Sequence, residues 1–340
     1  MKVLVTGATG YLGAVAATAL AAREHEVVGL ARSQRSATTL RERGIQPVTG
    51  DFGDPASLAG AVLETRPDVV VSTASVGGTS GDNAAFARDR EAVRAMQDAL
   101  ANYGGALVFT SGSAVFGTFN GGDATDTVYA EDAPLPLLES VFAPASAGVH
   151  PLLVAGFADA MAARIDTERA VLADDGVRGI VVRPGLVYGN GGNSDLKSLI
   201  DRARVAGRAG HWGSGGTTQS YVHVEDLAEL FCLAAEHAPH RAILHGVTDD
   251  VTQRELATAI NQMIGAGEQT ECLSLEQMLG ITDTVGGVGG SFTPPPTAAS
   301  GISLSLNKRL SSESTRRLLG WSPKRADIWD DIAYGSYAGP

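Results

Sequence analysis

The chain opens with Met1-Lys2-Val3-Leu4-Val5-Thr6-Gly7-Ala8-Thr9-Gly10-Tyr11-Leu12-Gly13, and this stretch decides the fold. Val3–Thr6 is a short run of apolar and β-branched residues, the pattern of a buried parallel strand. Glycines follow at positions 7, 10 and 13, and then an alanine-rich helix over Ala14–Ala22. Gly7 permits a tight turn. Gly10 lets the backbone approach a pyrophosphate, and Gly13 allows close packing of helix on strand. The helix N-terminus adds unpaired N–H groups and partial positive charge. The stretch predicts a dinucleotide site formed by Gly7, Thr9, Gly10, Tyr11, Leu12 and Gly13.

Outward from the turn the same alternation continues. Glu26–Leu30, Gln46–Thr49, Asp68–Ser72 and Ala106–Thr110 read as strands. Between them lie helices over Ser36–Arg43, from Asp54-Pro55, and over Asp82–Asn102. This implies an α/β fold, a doubly wound parallel sheet with right-handed crossovers and helices on both faces. Gly112–Pro151 reads as a long loop, Leu152–Ala173 as a helix, and Gly179–Arg183 as a sixth strand ending at Pro184-Gly185. From Asn190 the pattern changes. Helices over Ser194–Ala206, Val224–His237, Thr252–Ile264 and Ser312–Leu319 alternate with short strands at Ser220–Val222 and Ile243–His245. The expected organisation is a nucleotide-binding unit over 1–190, with strand contributions from about 220–250, and a smaller α/β substrate lobe over 191–340. Gly286–Gly301, with Pro294-Pro295-Pro296, is expected to be a mobile loop.

Composition narrows the partners. Among 340 residues, 26 Lys+Arg against 38 Asp+Glu give a net charge of −12. Without a basic tract, such a chain is a poor ligand for nucleic acid or an anionic membrane surface. Two cysteines, Cys232 and Cys272, are too few for a disulfide framework and lie in no zinc-binding pattern; both are expected to be buried, and no metal is expected. The N-terminus shows no signal-peptide pattern, and no apolar run reaches membrane-helix length. A cytoplasmic protein acting on a small molecule is the expectation.

The second strand ends Gly29-Leu30-Ala31-Arg32-Ser33. An NAD-specific site has Asp or Glu there for the ribose 2′-OH. Ala31 stands in its place, and Arg32, with Ser33 or Arg35, suits a 2′-phosphate through paired guanidinium bonds. NADP(H) is therefore favoured over NAD(H). Asp51 is placed to accept from the adenine amine while Phe52 covers the ring. Thr73, Ala74 and Ser75 would line the path to the nicotinamide.

These residues resemble the extended short-chain dehydrogenase/reductase superfamily, also called the NAD-dependent epimerase/dehydratase family, a Rossmann-type fold. Further matches are Gly50-Asp51, Thr110-Ser111-Gly112 with Val115-Phe116-Gly117, Glu131-Asp132-Ala133-Pro134, Arg183-Pro184-Gly185 with Val187-Tyr188-Gly189, Val222-His223-Val224-Glu225-Asp226-Leu227-Ala228, and Leu319-Gly320-Trp321-Ser322-Pro323. The likeness covers nearly the whole chain. It looks closest to a bacterial subgroup with T-S-G after the fifth strand and Ser311-Ser312-Glu313-Ser314-Thr315-Arg316 near the C-terminus. The resemblance also places Thr110, Pro184, Gly185 and Val187 beside the cofactor. It implies pairing of two copies through the helices near Asp82–Asn102 and Leu152–Ala173.

The family's catalytic pair is Tyr-x-x-x-Lys on the helix after the long loop, with Glu four residues after the Lys. Glu168 matches that Glu. Counting back puts Arg164 at the lysine and Ala160 at the tyrosine. Ala160 cannot transfer a proton, and arginine stays protonated. The resemblance leaves Arg164 a role as a fixed cation at the nicotinamide ribose, or as a surface arginine paired with an acid. Ser111 or Ser113 is a candidate for hydrogen-bonding a substrate oxygen. Tyr188, His223 and His150 are candidate proton donors, each also open to a structural role, and Trp212 and Tyr221 would shape the substrate pocket or fill the core. Three readings compete. One is an NADP(H)-dependent oxidoreductase of a small carbonyl or alcohol with an atypical active site. The others are a non-redox isomerase, cyclase or lyase with bound cofactor, and a non-catalytic nucleotide sensor.

Overall fold

A computed structural model describes residues 1–76, 85–135, 151–279, 298–325 and 327–338. Seven parallel strands form one sheet: β1 (Lys2–Thr6), β2 (Glu26–Ala31), β3 (Gln46–Thr49), β4 (Val69–Ser72), β5 (Ala106–Thr110), β7 (Arg178–Pro184) and β11 (Ala242–Gly246). Their spatial order is β11-β7-β5-β4-β1-β2-β3. Chain direction across the sheet reverses between β1 and β4, and the crevice outside their carboxyl ends is where this topology receives a ligand.

Alternation along each strand feeds two cores. Val3, Val5, Val69, Val71 and Val108 face one side, where α1 (Tyr11–Ala22), α2 (Gln34–Glu42) and α7 (Val224–His237) cover them with Leu20, Leu40 and Phe231. Leu4, Val70 and Leu107 face the other side. There α3 (Pro55–Thr65), α4 (Ala85–Ala101) and α5 (Pro151–Ala173) bring Leu58, Met96, Leu100 and Val171. Leu319 and Trp321, far along the chain, join the first of these cores.

The remaining strands are short. β10 (Thr218–His223) pairs parallel with β8 (Leu186–Tyr188) and antiparallel with β12 (Asp249–Thr252), making a separate three-stranded sheet. Of the strands expected between 220 and 250, only β11 enters the large sheet. β9 (Gly210–Trp212) pairs with β13 (Glu271–Leu273), and β6 (Val128–Tyr129) with β14 (Arg309–Leu310). Around them pack α6 (Ser194–Ala206), α8 (Gln253–Ile264), α9 (Leu275–Leu279), α10 (Ala298–Ser305), α11 (Glu313–Leu319) and α12 (Ile328–Tyr334). Thr252 caps α8 in a capping box with Glu255 instead of opening the helix. The expected loop over 286–301 lies outside the described residues up to 297, and from Ala298 the chain is helical. Cys232 is buried but Cys272 is exposed, contrary to the sequence expectation. Among the described residues no helix is long and apolar enough to cross a membrane.

One ion pair positions the helix that matters most. Arg183 at the end of β7 meets Glu168 on α5 through Nε–Oε1 3.1 Å, Nε–Oε2 3.2 Å and Nη2–Oε2 2.6 Å. The two residues are 2% and 1% exposed, and Phe116 lies 5.1 Å below the guanidinium. Glu168→Ala leaves an uncompensated buried cation and should cost about 3–5 kcal/mol, read as a lowered urea midpoint. The double replacement Glu168→Leu with Arg183→Met should cost much less.

Candidate active site

The glycine turn fits a pyrophosphate. Gly7 has φ +73°, in the left-handed region glycine favours. A Cβ at Gly13 would lie 2.3 Å from the Gly7 carbonyl oxygen and 2.5 Å from Thr73 Oγ1, so only glycine lets α1 approach β1 and β4 this closely. Gly10 is the N-cap of α1 and offers no side-chain cap, which leaves the first-turn N–H groups of Tyr11, Leu12 and Gly13 for an anion. The Tyr11 phenol turns away, donating to the Gly189 carbonyl at 2.8 Å. Its ring packs where a Cβ on Gly192 would be. Tyr11 therefore contributes backbone to this turn, while its side chain fastens the β8–α6 connection.

Around the turn, Arg32 and Arg35 are exposed, and their side chains enter no ion pair among the described residues. Ser33 is the N-cap of α2, sharing a capping box with Ser36. Arg43 Nη1 donates to the Ala8 carbonyl at 3.3 Å, which sets a third guanidinium beside the turn. Sequence reading missed it, because Arg43 reaches the turn only through the packing of α2 on the sheet. Asp51 is exposed and accepts from Gly53 N at 2.9 Å. Phe52 departs from its expected place over adenine. It is buried in the core with Leu30, Leu58 and Val62, because the apolar ring gains more there than at a solvated rim.

The hydroxyls expected along the nicotinamide path are partly committed. Thr73 Oγ1 donates to Thr6 O at 2.7 Å and so locks the β4 loop onto β1. Ser75 Oγ bonds buried Asp89 of α4, which also accepts from Val76 N at 2.7 Å. Ala74 is partly buried against the second core.

At the end of β5, Thr110 Oγ1 and Ser111 Oγ are buried and bond no described residue. Ser113, also buried, opens a single 3₁₀ turn. Arg164 points into this region. Its Nη1 donates to the Thr110 carbonyl at 3.4 Å, and its guanidinium lies 4.6 Å from the Phe86 ring centre. Burial pushes its pKa down, opposed by Asp89 and Glu168. Arg164 is half-buried and makes no ion pair among the described residues. Ala160, one turn earlier, is 2% exposed and packed among Phe157, Met161, Trp212, Ile302, Leu304 and Leu306.

Tyr188 leaves the candidate set of proton donors. It is 1% exposed in the core of Leu196, Ile200, Tyr221 and Val251. Desolvation pushes its phenol pKa up, Asp249 adds to this, and the hydroxyl donates to Asp249 Oδ2 at 3.4 Å. His223 caps α7, its Nδ1 accepting from Glu225 N at 3.2 Å. Gly185 sits against the Ser220 carbonyl, where a Cβ would come within 2.3 Å, and Val187 pairs with Val222. Pro184 closes β7 beside them. Trp212 lies in the cluster around Ala160, and Tyr221 in the core around Tyr188. His150 lies outside the described residues.

Comparison with known proteins accords with this geometry. The NAD dependent epimerase/dehydratase family matches residues 3–140 and 156–244. An uncharacterized Schizosaccharomyces pombe protein is 28% identical over 99% of this chain and 100% of its own length. The Stigmatella aurantiaca protein 4-hydroxy-2-methyl-3-oxo-4-farnesyl-3,4-dihydroquinoline-1-oxide ketoreductase is 28% identical, over 70% of this chain and 66% of its own. The UDP-glucose 4-epimerase of Thermus thermophilus, solved in complex with NAD, superposes with a TM-score of 0.68 at 22% identity, covering 99% of this chain and 98% of that one. The fold is that of an extended short-chain dehydrogenase/reductase, an NAD(P)-dependent enzyme. The chain belongs to the NAD-dependent epimerase/dehydratase family. The sensor reading falls with this, and the yeast relative shows that the likeness is not confined to bacteria.

Gly13→Ala forces a backbone clash at the turn. It should weaken NAD(P)H binding at least tenfold and lower Tm, read by fluorescence titration and thermal unfolding.

Proposed function

We propose that this chain is an NADP(H)-dependent oxidoreductase acting on a small carbonyl or alcohol, with Ala160 and Arg164 in place of the family's catalytic pair. The observation that carries the reading is Arg164. An inward guanidinium, stacked on Phe86 and bonded to Thr110 O, stands next to the two buried hydroxyls that have no described partner. Such a group has a reason to be buried if it holds a polar ligand. When bound, the nicotinamide supplies or accepts hydride. Arg164 holds the ribose hydroxyls as a fixed cation and moves no proton. Ser111, with Thr110 and Ser113 beside it, hydrogen-bonds and orients the substrate oxygen. The first-turn N–H groups of α1 hold the pyrophosphate, with Thr9 in the turn itself. Arg32, helped by Arg35 and Arg43, holds the 2′-phosphate. Asp51 accepts from adenine, and Pro184, Gly185 and Val187 form the wall behind the nicotinamide. Residues from 191 onward read the substrate, and two copies pair through α4 and α5 in the cytoplasm.

A second reading, a non-redox isomerase or lyase with retained cofactor, is favoured by the apolar surroundings of Ala160, which offer no acid at the usual place. The two part on net consumption of NADPH with a panel of aldehydes and ketones.

Arg32→Ala removes a charge-assisted pair worth about 1.5–3 kcal/mol. NADPH affinity should fall at least tenfold while NADH affinity stays within twofold, measured by calorimetric titration. Equal losses for both cofactors would overturn the NADP preference.

A further inference from the structure

The connection from β8 to α6 is short and sharply bent. Gly189, Asn190, Gly191 and Asn193 all have positive φ, at 103°, 52°, 61° and 67°. An asparagine holds that conformation at some cost, so the loop keeps it only where its surroundings fix it. One phenol closes the loop at both ends. Tyr337 Oη accepts from Gly189 N at 3.0 Å and donates to Gly192 O at 2.9 Å. Between these ends, Gly192 N donates to Gly189 O at 3.0 Å. Tyr337 is 6% exposed and packs with Tyr188, Leu196 and Ile332. Its own place is set from α12, where Asp331 accepts from Ser336 N and from Ser336 Oγ, each at 2.9 Å.

The dinucleotide turn grips the same loop from its other side. Tyr11 Oη donates to the Gly189 carbonyl at 2.8 Å, and a Cβ on Gly192 would come within 2.0 Å of the Tyr11 ring. Gly189 is therefore bonded at its N–H by Tyr337 and at its carbonyl by Tyr11. Tyr11 is the first residue of α1, and its N–H is among the first-turn donors left for an anion. Ring and N–H belong to one residue, so pinning the ring constrains where the N–H points. Gly10 supplies no side-chain cap, and the three glycines have no side chains with which to anchor the turn. Burial pushes the pKa of both phenols up, so each hydroxyl keeps the proton it donates.

We infer that Tyr337 is a positioning residue for the cofactor: acting through Gly189, Gly192 and Tyr11, the C-terminal tail sets the first-turn N–H groups of α1 onto the pyrophosphate. The inference rests on the reading of Gly7–Gly13 as the dinucleotide site. Without the Tyr337 hydroxyl, Gly189 N and Gly192 O lose their buried partner, the loop re-forms, and Tyr11 loses the carbonyl that orients it. The coupling is reciprocal, so cofactor binding tightens the tail as the docked tail tightens the cofactor. The pyrophosphate is common to NADPH and NADH. Both therefore feel the loss alike, unlike the loss of a contact to the 2′-phosphate.

The test is calorimetric titration of the full chain with NADPH and with NADH. Tyr337→Phe keeps the ring and removes the hydroxyl. It should weaken both cofactors alike by about fivefold or more, the fold-change of one neutral hydrogen bond. Tyr11→Phe should do the same, and the double variant should lose little beyond either single one, because both act through Gly189. Ile332→Val lies in the same core but away from the hydroxyl, and it controls for stability. It should lower Tm and leave both affinities within about twofold. Hydrogen exchange gives the reciprocal readout. Saturating cofactor should slow amide exchange over 189–193 and 335–338 in the wild type and not in Tyr337→Phe. Unchanged affinity in Tyr337→Phe, or a loss that Ile332→Val matches, overturns the proposal and leaves the dinucleotide turn standing. A wild type that binds neither cofactor overturns both.

Discussion

The buried pair Glu168–Arg183 is the constraint on which the site depends. α5 carries Ala160, Arg164 and Glu168 at successive turns of one face, since i, i+4 and i+8 align along a helix. Fastening Glu168 to Arg183 at the end of β7 fixes the rotation and depth of that face. Arg164 then reaches the carbonyl of Thr110, and Ala160 meets α10. Two charges removed from water hold only with near-complete hydrogen bonding. The bidentate contact satisfies Nε and Nη2, Phe116 lies beneath the guanidinium, and Nη1 is left buried without a described partner.

A second layer backs this pair. Glu131 Oε1 accepts from Thr315 N at 2.7 Å and Thr315 Oγ1 at 2.8 Å. His245 N in turn donates to Thr315 Oγ1 at 2.8 Å, and Ser312 Oγ donates to Val247 O at 2.9 Å. His245 is held neutral, its pKa pushed down to about 4 by burial and by Arg183, with Glu131 opposing. The Glu131-Asp132-Ala133-Pro134 turn and the Ser311–Arg316 motif, far apart in sequence, thus form one device. They bind α11 to the edge strand β11 and enclose Arg183 from behind.

What could be read from the sequence follows from range. The glycine turn and the strands of the large sheet were legible because their signals are local: a strand, three glycines and an alanine-rich helix within the first 22 residues. Arg164 was placed by counting, but its inward direction comes from Phe86 and Thr110 on other elements. Phe52 and Tyr188 were misread because burial of an aromatic ring depends on what covers it, and the covers are α3 in one case and α6 with β12 in the other. The three-stranded sheet was missed because β8 has only 3 residues, directly after β7, and β12 (Asp249–Thr252) lacks the apolar run that marked the equally short β4. The burial of Lys308 left no local trace, since Thr218 and Ser303, its backbone and side-chain partners, come from separate stretches.

The family joins two tasks in one helix: a cation that holds the ribose and, one turn before it, the acid that yields a proton. Here the charge at the first position is an arginine, which cannot titrate near neutral pH. The second position is an alanine sealed by Ile302, Leu304 and Leu306. The α10–β14 segment packs on this part of α5 and leaves an apolar environment where the family has its phenol. The same segment brings Ser303 and Lys308 with it. Glu168–Arg183 thus fixes the face of α5 on which the C-terminal segment packs.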